Sequence, residues 1–566
     1  MHTVGGVRRV HRQRAHRRCH RHGRGAVLRP PAADHGRAPA LSGVVGGVVR
    51  HVPDRRPRAL PRLLRPRILG CRDHRPGRPA VADRPRRPRG MAVRRCRAAP
   101  GSPHQQSRLA SPPRHPYPRS RGGWTDVRLP PDPGGHVTAN PPPMHLLIIS
   151  GGRDLPDRAR ALWPGLRTSV ICRPEVLPRV RSKDQVTRLL SIREDAPVEE
   201  WLAAARFIHA VDPIDRIANY SEKDTEHTAA IAEDLGLSWH STRTLRAVND
   251  KTQMRHDLAE AGLGGIAAAA VTTKAEVEAF AAAHGYPLIC KPVRGTASKG
   301  VTRVDGPDDI DAALSWGTSG TKDLDSHELM VEQFVTGVEF SVEALSEAGE
   351  HFVVGVTGKI SEHDHFVELG HVMPADITDD VSTRIHAAVD TALTALGVRD
   401  GVTHTEVIVS DDEVHIVETH LRPAGDEIPE LWSRIRKVDL LDAVAKQSLG
   451  LPALAETRAG ASVVNEAPAA AIWYACPDAV GELTAVDGED EAKASPGVAA
   501  VEVLRDIGDR LEGVTGSFAR AAHVCALGDT VAEALARAQG GVGAMHFTVK
   551  ASGWTSQTSH TTQTIS

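Results

Sequence analysis

The stretch that decides the fold is THTEVIVSDDEVHIVETHLRPAGD, residues 403–426. Two apolar runs that alternate with polar residues flank a short acidic loop, and this pattern predicts a β-hairpin of strands 402–409 and 414–421. A three-residue loop would pair Ser410 with Val414 at the top of the hairpin. That assumed register decides which polar side chains face one another further down.

The predicted hairpin brings two carboxylates together. Glu406 would lie opposite Glu418 and His404 opposite His420, all on one face because side chains alternate along a strand. Facing carboxylates repel each other, and a divalent cation between them removes that repulsion. Oxygen ligands favour Mg²⁺ or Mn²⁺. The alternative is a pair of solvated acids on an exposed face. Arg422, on the same strip, is suited to clamping a carboxylate or a developing phosphoryl charge, or else forms a surface salt bridge.

A second segment, PLICKPVRGTASKGV at 287–301, predicts a phosphate site. Lys291 ends an apolar strand, where its ammonium is costly unless it meets an anion. The following loop, 294–300, offers flexible backbone N–H donors and hydroxyls for a phosphate. Lys251, at the start of a helix, would be a second phosphate cation. The alternatives are an ordinary hairpin tip and a surface lysine.

A third segment, ELMVEQFVTGVEFSVEAL at 328–345, predicts an adenine slot. Phe334 and Val335 would form an apolar wall with backbone donors and acceptors at a hinge. Glu332 and Glu339 would meet the amino group and the ribose hydroxyls. An edge strand with solvated acids is the alternative.

The rest of the chain after Met144 alternates strands and helices, which predicts an α/β fold. At its start, strand 146–149, helix 198–206, strand 207–211 and helix 223–235 favour a small parallel α/β domain. The 566 residues divide by composition into five predicted segments. These are 1–143 (a basic extension), 144–238 (the small α/β domain), 239–455 (a central domain), 456–550 (a C-terminal α+β subdomain) and 551–566 (a flexible tail).

Residues 1–143 differ from everything that follows. They hold 32 Arg, 6 Asp and neither Lys nor Glu, a net charge of +26, whereas the remainder carries −26. Such a segment cannot bury enough apolar surface to fold. We expect a non-functional upstream extension of the reading frame, with Met144 as the true start. A disordered tail and a polyanion-binding arm remain alternatives, but we expect no nucleic-acid partner.

Other classes of protein are excluded by what the sequence lacks. It has no apolar run of about 18 residues that could cross a membrane, and no apolar segment near the start that resembles a signal peptide. The cysteines after Met144 are widely spaced without a CxxC pair, which argues against a zinc ribbon or a disulfide framework. A cytoplasmic protein with reduced thiols is the expectation.

Together and in this order, the three segments resemble the ATP-grasp superfamily, and within it the carboxylate–amine ligases of the L-amino acid (dipeptide) ligase group. The resemblance covers roughly 144–550. It implies a small pre-ATP-grasp α/β domain, a two-lobed central ATP-grasp domain and a C-terminal α+β subdomain. It also implies an enzyme that uses ATP and Mg²⁺ or Mn²⁺ to join a carboxylate to an amine through an acyl phosphate, with amino acids as the expected substrates.

The resemblance also assigns roles to individual positions. Lys291 and Arg422 would be catalytic, Arg422 by stabilising the transferring phosphoryl group. Residues 295–300 would form a mobile cover over the phosphates. The residues that would bind ATP are Lys251, Lys291, Gly295, Ser298, Gly300, Glu332, Phe334, Val335 and Glu339.

The metal and substrate positions follow in the same way. Glu406 and Glu418 would hold the metal. Two residues after the second metal glutamate, many members have a ligating Asn where this chain has His420; imidazole is a softer ligand, which would favour tolerance of Mn²⁺. FVELGHVMPAD, residues 366–376, resembles the segment that shapes the amino-acid pocket. The residues that would meet substrate are Glu368 (the substrate ammonium), His371 (the incoming amine), Arg422 and Arg520.

Other functions stay open at this point. A biotin carboxylase-like or purine-biosynthesis-type ATP-grasp enzyme is one alternative, and a nucleotide-binding protein without turnover is another. Small-molecule substrates are the expected partners, no membrane is expected, and a homodimer is possible.

Overall fold

Four β-sheets organise the part of the chain that the computed structural model describes. The described residues are 143–152, 154–295, 299–320, 328–362, 367–411, 413–514, 519–551 and, for the backbone, 563–565. The predicted extension therefore lies outside them, apart from its last residue. Within these ranges, no helix has both the length and the apolar character needed to cross a membrane.

The first sheet is parallel throughout, as the alternation of strands and helices predicts. Its order is β3-β2-β1-β4, and helices pack against it. Its elements are β1 (His145–Ile149), α1 (Leu155–Leu162), β2 (Arg167–Cys172), β3 (Arg188–Ser191), α2 (Val198–Val211), β4 (Arg216–Asn219) and α3 (Thr225–Leu235).

One predicted strand of this region is wrong. Residues 207–211 continue α2, and the strand that follows is β4. The helix persists because Trp201, Ala205 and Ile208 fall on one helical face and are fully buried. A short apolar run is ambiguous between helix and strand, and the helical period decides it here.

The second sheet is antiparallel and forms one lobe of the central region. Its order is β5-β8-β6-β7. The elements here are α4 (Thr242–Asn249), α5 (Lys251–Glu260), β5 (Ala268–Val271), α6 (Lys274–His284), β6 (Leu288–Pro292), β7 (Thr302–Val304), α7 (Ile310–Gly320) and β8 (Leu329–Gln333).

The first residue of α5 is Lys251, and its position is fixed by a cap. The Asp250 carboxylate accepts hydrogen bonds from the backbone N–H groups of Thr252 and Gln253, at 3.0 and 3.1 Å. This is the usual way to satisfy the free donors at a helix start. The cap therefore sets where the Lys251 side chain begins.

The remaining elements build a large sheet and a small one. They are β9 (Val338–Glu347), β10 (Glu350–Ser361), β11 (Glu368–Met373), α8 (Asp379–Ala395), β12 (Gly401–Ser410), β13 (Glu413–His420), α9 (Ile428–Ile435), α10 (Leu440–Ser448), α11 (Leu454–Ala461), β14 (Ala469–Ala475), β15 (Val480–Asp487), α12 (Glu489–Ala494), β16 (Val498–Val503), β17 (Arg510–Glu512), β18 (Ala522–Gly528), α13 (Val531–Gly543), β19 (His546–Ala551) and β20 (Gln563–Ile565).

The large sheet runs across the predicted boundary between the central and C-terminal parts. Its order is β13-β12-β9-β10-β11-β14-β18-β16, and the small sheet follows β17-β15-β19-β20. Residues 455 and 456 lie inside α11, and β14 joins the large sheet through β11. β20 pairs with β19, so the predicted tail 551–566 contains a strand rather than only flexible chain.

The hairpin of β12 and β13 has a tighter turn than predicted. Ser410 pairs with Glu413 rather than with Val414, so the predicted top of the hairpin is wrong. A β-bulge between Glu406 and Val407 then shifts the register by one residue. The bulge restores the predicted pairing further down the hairpin.

The two faces of the large sheet pack against different apolar clusters. Phe340, Val342 and Ala344 of β9 pack in one apolar cluster with Ile385 and Val389 of α8. Because side chains alternate along a strand, the residues between those of β9 project from the opposite face. The polar side chains of the predicted site lie on that opposite face.

Candidate active site

Glu406 and Glu418 face each other across the hairpin, as the sequence predicts, and His404 faces His420 in the next pair. Nε2 of His420 lies 3.0 Å from Oε1 of Glu418. Burial raises the pKa of both carboxyls, but neighbouring cations outweigh it and hold both pKa values below their usual range. Both acids are therefore ionised at neutral pH.

The residues around this pair fit a divalent cation. Ligand atoms of Glu406, Glu418 and His420 all lie within 4.8 Å of one another. Two further buried oxygens, Oγ of Ser341 and Oε2 of Glu343, have no hydrogen-bond partner among the described residues. Two carboxylates suit Mg²⁺ or Mn²⁺, and an imidazole beside them moves the preference towards Mn²⁺.

Lys251 reaches the acidic pair from α5. Its Nζ lies 2.9 Å from Oε2 of Glu418 and donates to the carbonyl oxygen of Gly295 at 3.0 Å. Burial alone would lower the pKa of Lys251, but the Glu418 carboxylate raises it above its ordinary value. Lys251 is therefore a fixed cation between the acidic pair and the glycine loop.

Lys291 occupies the neighbouring position on β6. Its Nζ donates to Oε1 of Glu332 at 2.5 Å. Burial lowers the pKa of Lys291, and the facing Glu332 carboxylate only partly offsets this. Arg255 binds the other oxygen of Glu332 at 3.0 Å and donates to the carbonyls of Ile416 and Val417 at 2.9 and 3.0 Å. Arg255 thus connects the two lobes, a role that the sequence did not indicate.

The predicted hinge connects β8 to β9. The Phe334 N–H donates to the carbonyl of Pro287 at 3.2 Å, and the Arg303 guanidinium lies 4.5 Å from the centre of the Phe334 ring. Val335 is half-buried in the same connection. At Gly337 a Cβ atom would lie 2.5 Å from the carbonyl oxygen of Val409, so only glycine allows this approach.

The predicted phosphate cover is described only at its two ends. Gly295 and Gly300 have φ values of 150° and 79°, conformations that favour glycine. Ser298, predicted to bind phosphate, lies outside the described residues. Both ends of the loop therefore adopt backbone conformations that suit glycine, while the mobility of the cover stays a prediction.

Lys359 of β10 lies at the centre of three carboxylates. Its Nζ is 2.8 Å from Oε1 of Glu339, 3.0 Å from Oε1 of Glu368 and 3.0 Å from Oε2 of Glu406. Burial alone would lower the pKa of Lys359, but these acids raise it well above its ordinary value. The predicted ribose, substrate and metal carboxylates are therefore joined by one ammonium.

Arg422 lies on the same strip but points to the first sheet. Its NH2 atom lies 2.6 Å from Oε2 of Glu222, which follows β4. Nδ1 of His420 lies 3.5 Å from Oε1 of the same carboxylate. Burial raises the pKa of Glu222, but His420 and Arg422 outweigh it and lower that pKa to about 2. Glu222 is a second residue that the sequence did not indicate.

The predicted substrate residues form a cluster of their own. Arg520 donates to Oε2 of Glu368 at 2.6 Å and to both oxygens of Asp426 at 3.0 and 3.1 Å. Nε2 of His371 lies 3.0 Å from Oδ2 of Asp426. The Arg520 guanidinium lies 4.0 Å from the centre of the Tyr474 ring. The structure thus brings Glu368, His371 and Arg520 together around Asp426, for which the sequence analysis predicted no role.

Two known protein domains match parts of this sequence. Residues 284–430 match the ATP-grasp domain, and residues 473–550 match the L-amino acid ligase C-terminal domain 2. The chain contains an ATP-grasp domain. This agrees with the expected α/β ATP-grasp fold and with the C-terminal subdomain of the resemblance.

Curated proteins are also similar to part of this chain. The alanine–anticapsin ligase of Bacillus subtilis is 25% identical over 280 residues, which are 46% of this chain and 58% of the relative. The chain spans a little over half the length of the first curated relatives it matches.

Solved structures share the fold. An L-amino acid ligase from Bacillus licheniformis has a TM-score of 0.61 at 22% identity, covering 71% of this chain and 98% of that chain. The biotin carboxylase domain of the Hydrogenobacter thermophilus 2-oxoglutarate carboxylase, in complex with MgADP, ADP and bicarbonate, has a TM-score of 0.54 at 14% identity. It covers 74% of this chain and 91% of that chain.

The residues of this candidate site that sequence reasoning missed are mostly cations and their partners. Lys359 could have been found, because it stands in the apolar run FVVGVTGKI just as Lys291 stands in PLICKP. Arg255 and Glu222 carry no local pattern of this kind. Their contacts to Glu332 and Arg422 depend on how distant segments meet.

Proposed function

We propose that this chain is an ATP-dependent carboxylate–amine ligase that forms an amide bond between amino acids and releases ADP and phosphate. The observation that carries the proposal is the 2.9 Å contact between Lys251 and Glu418, one member of the facing acidic pair. It brings a cation suited to phosphate next to carboxylates suited to a metal. MgATP needs both at one place.

The first step activates the carboxylate. A carboxylate oxygen of the first amino acid attacks the γ-phosphorus of ATP, the bond to the β-phosphate oxygen breaks, and ADP leaves. Lys251 and Lys291 bind phosphate oxygens, and Arg422 stabilises the negative charge on the transferring group. Catalysis here consists mainly of positioning and charge neutralisation.

A divalent cation belongs beside these residues. Glu406 and Glu418 would hold it, with His420 next to them, and it would supply positive charge to the phosphate oxygens. Glu339 would bind the ribose, while Glu332, Phe334 and Val335 would surround the adenine.

The second step forms the amide. The nitrogen of the second amino acid attacks the acyl carbon, the bond to the phosphate oxygen breaks, and phosphate leaves. His371 takes the proton from the attacking amine, and Asp426 orients its imidazole through the 3.0 Å contact. Glu368 binds the ammonium of the first amino acid, and Arg520 holds Glu368 in place.

The test is ADP release across pairs of amino acids with Mg²⁺ or Mn²⁺, followed by the mass of the product. The proposal expects ADP release that needs both amino acids and a product of the mass of a dipeptide. ADP release that needs bicarbonate instead of an amino acid would favour the carboxylase alternative and contradict the ligase.

A further inference from the structure

Lys359 is unusual because one buried ammonium serves three acids from three strands. Only 3% of its side chain is exposed, and Glu339, Glu368 and Glu406 contribute one oxygen each at 2.8 to 3.0 Å. An ammonium has three donors. All three are therefore used, and none remains for a substrate.

The three acids belong to different parts of the proposed site. Glu406 is one of the two facing acids, Glu339 lies towards the proposed ribose position, and Glu368 lies in the substrate cluster. Oε2 of Glu406 faces Lys359, while its Oε1 lies 3.6 Å from Nε2 of His404. A second cation that approaches Glu406 must therefore share that carboxylate with Lys359.

Glu418 has a different environment. Its Oε2 lies 2.9 Å from Lys251, and its Oε1 lies 3.0 Å from His420. Each acid of the pair is thus held by a lysine of its own, but only Lys359 is also bound to the substrate cluster.

We infer that Lys359 is a positioning residue that occupies one oxygen of Glu406 and thereby sets the affinity of the acidic pair for a divalent cation. Glu368 shares the same ammonium, so a change at Glu368 alters how strongly Lys359 holds Glu406. The inference rests on the proposed function for the identity of the metal ligands. The role of adjusting metal affinity is separate from the phosphate binding and the two reaction steps of the proposed function.

The test is a titration of the full chain with Mn²⁺ alone, without nucleotide or amino acid. The electron paramagnetic resonance signal of free Mn²⁺ measures how much of the ion is bound. Lys359→Met removes the competing cation, so Mn²⁺ should bind at least about tenfold more tightly than to the wild type. Lys446→Met is the matched control. Lys446 also bridges two acids, Asp442 and Glu456 at 3.1 and 2.6 Å, on helix α10 and its neighbour α11. It should leave Mn²⁺ binding unchanged.

A second pair of variants keeps the inference testable if Lys359→Met does not fold. Glu368→Gln removes a partner of Lys359, strengthens its hold on Glu406 and should weaken Mn²⁺ binding. Asp426→Asn removes one charge from the same cluster without touching Lys359 and should have a clearly smaller effect. Unchanged or weaker Mn²⁺ binding by folded Lys359→Met, or equal effects of Glu368→Gln and Asp426→Asn, would overturn the inference. Because no ATP is present, these outcomes do not depend on whether the chain proves to be a ligase.

Discussion

The ammonium of Lys251 lies 2.9 Å from Oε2 of Glu418, which joins the start of helix α5 to strand β13. Both groups are largely buried, and each would be costly there without the other. The contact holds the proposed phosphate cation and one of the proposed metal carboxylates in one place. Substitutions of either residue should therefore lower the rate of ADP release more than they disturb the folding of the other sheets.

Glu418→Gln should abolish metal-dependent ADP release. The amide keeps the shape but removes the charge that would hold the cation, so we expect a loss of about a hundredfold or more in turnover. The loss of turnover is measured as steady-state ADP release at saturating Mg²⁺. Glu413→Gln is the control, because Glu413 lies on the same strand with a side chain that is 69% exposed. Equal activity of the two variants would contradict the role of Glu418.

Arg422→Ala should lower turnover more than ATP affinity. Its guanidinium is held by Glu222, and in the proposed mechanism it meets the charge that develops on the transferring phosphoryl group. A donor that acts mainly in the transition state is worth about a hundredfold in kcat. Turnover and the KM for ATP, measured together, separate the two effects. Arg206→Ala, which removes an exposed ion pair with Asp234, should change neither. An Arg422→Ala variant that loses only ATP affinity would contradict this role.

Asp426→Asn should uncouple the two steps. Without the carboxylate that orients His371, the amine attacks more slowly, and water has time to hydrolyse the acyl phosphate. The ratio of ADP to amide should rise above one, with ADP release reduced less than amide formation. Parallel assays of ADP and product mass check this. A ratio that stays at one, with both rates reduced equally, would mean that Asp426 does not serve the second step.

The His404–Glu343 pair should make stability depend on pH. Burial alone would lower the pKa of His404, but the Glu343 carboxylate, 2.6 Å away, raises it to about 10. Because the folded pKa lies above the unfolded value of about 6.5, the stabilisation is complete below pH 6.5 and is lost as the pH rises towards 10. By linkage the loss is on the order of 4 kcal/mol.

The control for that prediction is His404→Asn, which has no imidazole to titrate. The free energy of unfolding, measured in urea from pH 6 to pH 10, should fall more steeply for the wild type than for this variant. Parallel curves for the two proteins would mean that the pair does not carry the pH dependence.

Much of the fold could be predicted from residues close together in the sequence. The hairpin, the apolar strand that ends at Lys291 and the helix that starts near Lys251 all carry local patterns. The facing of Glu406 and Glu418 was also predicted, although a bulge and a tighter turn produce it rather than the assumed three-residue loop. The tighter turn shifts the pairing by one residue, and the bulge shifts it back. Local sequence patterns do not reveal either shift.

The rest of the site depends on contacts between distant segments. Glu222 reaches Arg422 from the first sheet, and Arg255 reaches Glu332 from α5. Asp426 meets Arg520 because residues beyond β13 and before β18 converge at the start of β11. No periodicity or motif along the chain encodes these meetings, since they follow from how the sheets pack.

The central claim is that a substrate carboxylate attacks the γ-phosphorus of ATP and forms an acyl phosphate. Transfer of a labelled oxygen from the carboxylate to phosphate tests this claim most directly. An amino acid labelled with ¹⁸O in its carboxylate is turned over with ATP and a second amino acid, and the released phosphate is analysed by mass. A carboxylate that attacks the γ-phosphorus leaves one of its own oxygens on the phosphate, so the account predicts one ¹⁸O atom per phosphate released. Amide formation accompanied by unlabelled phosphate would contradict it.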